Sequence, residues 1–229
     1  MLVHEGDRRS LRIDLKLATA LACAAGASNA AGFQAAGLFS ANMTGNVSAL
    51  SDQIGLGRFG PAALFAVLVA AFVGGALCSG VIMEQGRKRA RGSYATCVLI
   101  EAALLAMLGL ATLLIPELDL HLLPIGLSFA MGMQNAATTQ ISDARVRTTH
   151  VSGMATDIGL GIAALLHAKP GPRFILSCFT LFAFLFGGIA GAMGYVMIGG
   201  WLFVMIGAAL VAVALPAARY GRMLSPPQQ

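Results

Sequence analysis

Six apolar runs, each close to twenty residues, divide this chain, and nearly all of its charged residues fall between them. The runs cover residues 15–39, 61–83, 94–115, 122–139, 174–197 and 201–218. A helix rises 1.5 Å per residue, so about twenty residues cross the ~30 Å hydrocarbon core of a bilayer. The connections are short and leave no room for a separate soluble domain. The pattern predicts an all-α polytopic membrane protein of six transmembrane helices in one membrane domain.

Composition agrees with this reading, and charge orients it. The chain is 57% hydrophobic and 11% charged, with a mean hydropathy of +0.78, outside the range of soluble domains. Basic residues cluster before the first run (Arg8, Arg9, Arg12, Lys16), between the second and third (Arg87, Lys88, Arg89, Arg91), between the fourth and fifth (Arg145, Arg147, Lys169, Arg173) and after the sixth (Arg219, Arg222). Fourteen of the fifteen thus lie on one side, with Arg58 alone on the other, which puts both termini in the cytoplasm. Tyr94, Tyr195, Tyr220 and Trp201 sit at run ends, at headgroup level. The net charge of +5 then reflects topology and a surface facing anionic lipid, and implies no nucleic-acid partner. The "DRRSLRI" start is followed by a run too long for an export signal, so it reads as the uncleaved entry to span one. Cys23, Cys78, Cys97 and Cys178 lie within apolar runs without metal or redox spacing, and the "SPPQQ" tail reads as disordered.

Two motifs recur. "SANMTGNVSAL" follows the first run, and 108 residues later "THVSGMATDI" follows the fourth. "GASNAAG" in span one matches "GMQNAAT" in span four, aligning Asn29 with Asn135, and Gly74-Gly75 in span two matches Gly187-Gly188 in span five. Three landmarks in the same order point to a duplication of three spans, residues 1–118 against 119–229. Three is odd, so the second copy enters from the opposite face, giving an inverted 3+3 repeat. Asn29 lies 13 residues beyond Lys16, and Asn135 lies 13 beyond Leu122. Each amide is therefore ~20 Å in from its own face, and the two can line one cavity.

An Asn within hydrocarbon needs partners, either in a neighbouring helix or in a polar site. Symmetric placement favours a site, making Asn29, Gln134 and Asn135 the candidate solute-binding residues. Around the turns, a hydroxyl can cap a new helix, Gly permits a sharp reversal, and Asn can bond exposed backbone. Asn42, Thr44, Gly45 and Asn46, with Thr149, Ser152 and Gly153, are therefore expected to form broken-helix gates, as re-entrant segments or as interfacial loops. Arg147 and Asp157 are the candidates for a cytoplasmic ion pair that forms and breaks, against the favoured alternative of a solvated loop with Asp157 in the first turn of the helix that follows. Glu101 is the one acid inside a span and so a proton-relay candidate, with pairing to the basic loop after span two as the alternative.

"FSANMTGNVSAL", "MGMQNAA" and "VRTTHVSGMATDIG", together in a six-span chain of this length, resemble the signatures of the YoaK-like bacterial membrane proteins, the domain of unknown function 1275 family. The resemblance covers most of the chain and implies a bacterial inner-membrane protein of six spans. This chain departs from the family at His150, where members more often carry Tyr, and at Ser152, where they carry Thr. His150 and Ser152 are too close in sequence for a serine–histidine pair of the intramembrane-protease kind. There is also no metal motif, phosphate loop or haem pair, so no cofactor and no enzyme activity are expected. The reading that remains is a carrier of a small polar or anionic solute, with an oligomeric channel or a membrane scaffold as alternatives. The small-residue helix faces would also allow a homo-oligomer.

Overall fold

The computed structural model describes residues 2, 10–88, 93–115, 117–166, 169 and 171–223, with side chains at all of these except 87–88 and 219–223. Arg8, Arg9, Arg89, Arg91, His167 and the "SPPQQ" tail lie outside the described residues, as do the side chains of Arg87, Lys88, Arg219, Tyr220 and Arg222. Among the described residues there are eight helices: α1 (Leu11–Ala36), α2 (Met43–Gly55), α3 (Phe59–Lys88), α4 (Ser93–Leu114), α5 (Leu122–Ile141), α6 (Val151–Leu165), α7 (Pro172–Ile198) and α8 (Trp201–Met223). No strand occurs among the described residues. The six apolar runs are α1, α3, α4, α5, α7 and α8. The two extra helices, α2 and α6, begin at the two Thr/Ser-Gly motifs, and their 13 and 15 residues reach only ~20 Å.

α3, α4, α7 and α8 are long and apolar enough to cross a membrane, and most of their surface is not covered by protein. Leu77, Met107, Phe186 and Met205 are among the large apolar side chains they expose, an arrangement that suits lipid and would be costly in water. α1 and α5 are more polar and more deeply buried. α1 packs on α7, α5 and α8, and α5 packs on α3, α4 and α1. A helix wrapped by other helices can carry Ser28, Asn29, Ser128 and Gln134, because its neighbours supply hydrogen-bond partners that lipid cannot.

Close crossings set this arrangement. A Cβ on Gly26 would run into the Phe184 carbonyl of α7, and one on Gly187 into the Cys23 carbonyl of α1. The α3–α5 crossing has the same construction, Gly75 against the Phe129 carbonyl and Gly132 against that of Phe72. α4 and α8 meet at Gly109 and Gly207, against the Gly200 and Ala102 carbonyls. Backbone-to-backbone approach of this kind gains dispersion contacts that lipid-facing Leu or Phe could not, and it locks the register of each pair.

Candidate functional site

The first break follows from Gly37, which ends α1 in a left-handed conformation (φ 69°) that a side chain would disfavour, its N–H bonded to the Phe33 carbonyl. The chain then turns back into the protein. The Ala41 N–H donates to Asn29 Oδ1 at 2.8 Å, and Ser40 Oγ donates to the same oxygen at 3.5 Å. Asn29 lies seven residues before the end of α1, so these bonds draw the break ~10 Å inward. Ser128 of α5 donates to the Ser40 carbonyl at 2.9 Å, and Asn46 Nδ2 donates to that of Phe39 at 3.1 Å. α2 starts from this depth, capped by Asn42, whose Oδ1 accepts from the Gly45 N–H at 3.1 Å.

The second break is longer and is closed without glycine. Asp143 and Ala144 both take positive φ (52° and 59°). The Ala144 N–H donates to the Thr139 carbonyl at 2.7 Å, and Ser142 Oγ accepts from Val146 N–H at 2.9 Å. Here too the chain is pulled back onto the helix it has left. Thr149 Oγ1 donates to Asn135 Oδ1 at 3.0 Å, and Thr148 Oγ1 donates to Gln134 Oε1 at 2.7 Å. α6 then begins after His150.

The starts of α2 and α6 face one cavity of about 880 Å³. Asn29, Asn42, Thr44, Gly45, Asn135, Thr139, Thr149 and Ser152 form its polar wall, Arg147 and His150 its basic corner, and Phe39, Met43, Phe72 and Phe184 its apolar side. No carboxylate among the described residues lines it. Among the described residues, the backbone N–H groups of Met43, Thr44, Ser152 and Gly153 have no protein acceptor. Each helix start carries about half a positive charge from aligned peptide dipoles, so the site holds a positive potential from two helix termini and one guanidinium. Asn29 is 8% exposed; its oxygen is used by the break, and its amide NH₂ has no acceptor among the described residues.

A second cavity of about 640 Å³ adjoins the first, lined by Asp14, Asp143, Arg145, Asp157, Arg173 and Ser177 among others. Arg147 and His150 line both, and Arg147 Nη1 stands 3.2 Å from His150 Nδ1 at the partition.

The structure therefore brings eight of the residues singled out in the sequence to one place, and sets five of them apart. Gln134 does not line the cavity. It is 1% exposed and lies behind Asn135, donating to Glu101 Oε1 at 2.8 Å and accepting from Thr148. Successive helical residues point about 100° apart, so Asn135 and Gln134 face different neighbours. Asp157 pairs with Arg173 at 2.9 Å and accepts from Ser177 Oγ at 3.2 Å, where a pair with Arg147 was expected. The start of α7 packs beside α6, whereas Arg147 sits at the head of α6 next to His150. Glu101 is buried against α5, where a pair with the basic loop was the alternative. Asn46 holds the break through the Phe39 carbonyl and lines neither of these two cavities, and Gly153 lines the second of them and not the first. Sequence reading missed Phe72 and Phe184, although each stands within three residues of a recurring glycine doublet, Gly74-Gly75 and Gly187-Gly188.

A family model described as a protein of unknown function (DUF1275) matches residues 17–216, nearly the whole chain. The chain belongs to the DUF1275 family. No curated protein and no solved structure matches it. The DUF1275 match takes in both breaks, both short helices and the whole cavity, and leaves out only the start of α1 and the end of α8.

Proposed function

We propose that this protein is a bacterial inner-membrane carrier of a small organic anion, built from six spans as an inverted pair of three-span repeats with both termini cytoplasmic. The observation that carries the reading is the convergence of two short-helix N-termini on one cavity that contains Arg147 and no acid. Such termini serve as ready-made anion sites, and half-helices meeting inside a repeat protein suit a solute held between the two halves. Packing supports the repeat. Exchanging α1–α4 with α5–α8 turns α1 on α7 into α5 on α3, α2 on α3 into α6 on α7, α4 on α5 into α8 on α1, and α3 on α4 into α7 on α8. The α1–α5 and α4–α8 pairs map onto themselves.

Volume and lining narrow the class of solute. A cavity near 880 Å³ falls in the range of small-molecule sites and is far larger than an inorganic ion needs. Phe72 and Phe184 offer an apolar wall opposite the hydroxyls and amides, which suits a carboxylate with a modest organic body. Arg147 and His150, 3.2 Å apart where the two cavities adjoin, supply a contact that a carrier could make and break. The test is flux in proteoliposomes with acetate, lactate, succinate and benzoate, set beside chloride and phosphate. Saturable counterflow of an organic anion supports the reading. Ohmic current without counterflow would make the protein a channel, and the absence of any anion flux would sink the proposal.

A further inference from the structure

Glu101 is the buried ionisable group that an anion cavity does not need. It lies in α4, fully buried, one layer behind the site. Gln134 donates to its Oε1 at 2.8 Å, while its Oε2 has no hydrogen-bond partner. The elements around it bring no countercharge among the described residues. α5 contributes Gln134; on α4 itself the neighbouring thiol is Cys97, which bonds the Ser79 carbonyl of α3 and packs near Cys78, while residues 201–218 of α8 contain no ionisable side chain. A carboxylate ion sealed there would lack both water and a cation, and one of its oxygens would have no donor. The neutral acid is the form this packing accommodates, and the packing can close only around it.

Glu101 is also tied to the moving parts of a carrier of this kind. Through Gln134 it reaches Thr148, next to Thr149, which Asn135 holds at the cavity wall, and the segment leads directly into α6. An ionised Glu101 needs water, and water can enter only if α5 and the break shift away from α4. Proton occupancy and the position of the second break are therefore linked through one hydrogen-bonded line.

We infer that Glu101 binds a proton that crosses the membrane with the solute, so that a monoanion in the cavity and a proton on Glu101 move together as a neutral pair. The proton adds to the carboxylate from water on the loading side and leaves to water on the other. No net charge crosses when the solute carries one negative charge. This rests on the carrier reading.

The test uses the full-length protein in liposomes with lactate, or with whichever panel anion exchanges fastest. For the wild type, adding that anion outside a weakly buffered suspension must alkalise the medium, and an acid-outside gradient must drive its accumulation. Glu101→Gln keeps the shape and the bond to Gln134 while fixing the neutral state, so it is expected to retain counterflow and lose gradient-driven accumulation altogether. Accumulation by the variant equal to wild type, or wild-type flux that moves no protons, would overturn the inference while leaving the carrier reading intact. Absence of any wild-type counterflow would instead count against the carrier reading. A measurement independent of transport covers that case, and also a variant that fails to fold. The wild type at neutral pH should show an infrared carbonyl band of a protonated carboxyl that is bleached on alkalinisation and absent from Glu101→Gln. If the variant cannot be made, Glu101→Asp must shift that band. A wild type lacking the band overturns the proposal.

Discussion

Asn29 has two separable jobs in this site, and two substitutions pull them apart. Its Oδ1 accepts from the buried Ala41 N–H at 2.8 Å and, over a longer 3.5 Å, from the fully buried Ser40 hydroxyl. Leucine removes the acceptor. Stranding one buried N–H costs roughly 1–3 kcal/mol, and the weaker Ser40 bond adds at most about 1, for a total of ~2–4 kcal/mol. Asn29→Leu should therefore release the break before α2 and lower the melting temperature in detergent, whatever solute is present. Aspartate is the informative change. It keeps an oxygen for Ala41 and strengthens that bond by its charge, so the fold should survive with little change in melting temperature. It also replaces an NH₂ at the cavity with a negative charge. At ~5 Å from a bound anion and an effective dielectric near 20, the repulsion is about 3 kcal/mol, or roughly two orders of magnitude in half-saturation. The assay pairs thermal unfolding with anion counterflow on both variants and the wild type. An Asn29→Asp protein that exchanges anions at wild-type half-saturation would refute the assignment of an anion to this cavity. An Asn29→Leu protein as stable as wild type would refute the account of the break.

Arg147 lines both cavities but is exposed, so Arg147→Gln should weaken anion half-saturation by only about tenfold, corresponding to ~1–2 kcal/mol, with no change in melting temperature; flux kinetics would show it. Gly132→Val would drive a side chain into the Phe72 carbonyl and force α3 from α5, lowering stability by ~2–3 kcal/mol in thermal unfolding, whereas Gly80→Ala, with nothing within 4 Å of the added carbon, should leave it unchanged. Reporter fusions after Met197 should read outside and after Arg91 inside; reversed signals would sink the proposed topology and the inverted repeat with it.

The apolar runs showed six of the eight helices, because lipid-sized hydrophobic segments leave a signal that short sequence windows catch. α2 and α6 were legible as helix starts after a break, without their extent. Their 13 and 15 residues are too short to register as spans, α6 although it is apolar, and what marks them is the cap chemistry at Asn42 and the hydroxyl-Gly pairs. Asn29 and Asn135 line one cavity, a meeting expected from their equal distance along two runs. The rotation of Gln134 away from the cavity did not, since adjacent residues on a helix differ by an angle that only the neighbouring helices make meaningful. Ion-pair partners were the least legible. Asp157 reaches Arg173 across the α6–α7 packing, a contact fixed by the tertiary fold and unrelated to its distance in sequence from Arg147. The closure of α5 also escaped notice, because Asp143 and Ala144 adopt a backbone conformation usually announced by glycine.

The two proposed halves agree where geometry is at stake and diverge where chemistry is. Gly26 and Gly132 sit at equivalent crossings, as do Gly75 and Gly187, because a methyl at any of them would part a helix pair. Asn29 and Asn135 each spend their oxygen on pulling a break inward, because a half-helix must start deep to face the other. Counting back equally from Gly45 and Gly153, however, sets Phe39 against Arg147 and Asn42 against His150. Phe39 stacks on Phe33 with ring centroids 4.2 Å apart, while Arg147 touches His150. One side of the cavity is thus bounded by an aromatic stack and the other by two basic groups. An anion held between them experiences a field that grows toward α6, the half whose break is also wired to Glu101. The helix crossings and the breaks call for the paired glycines and asparagines alike. A carrier that moves solute and proton together has no such need for matched mouths, and the asymmetry falls on the side where the proposed proton site lies.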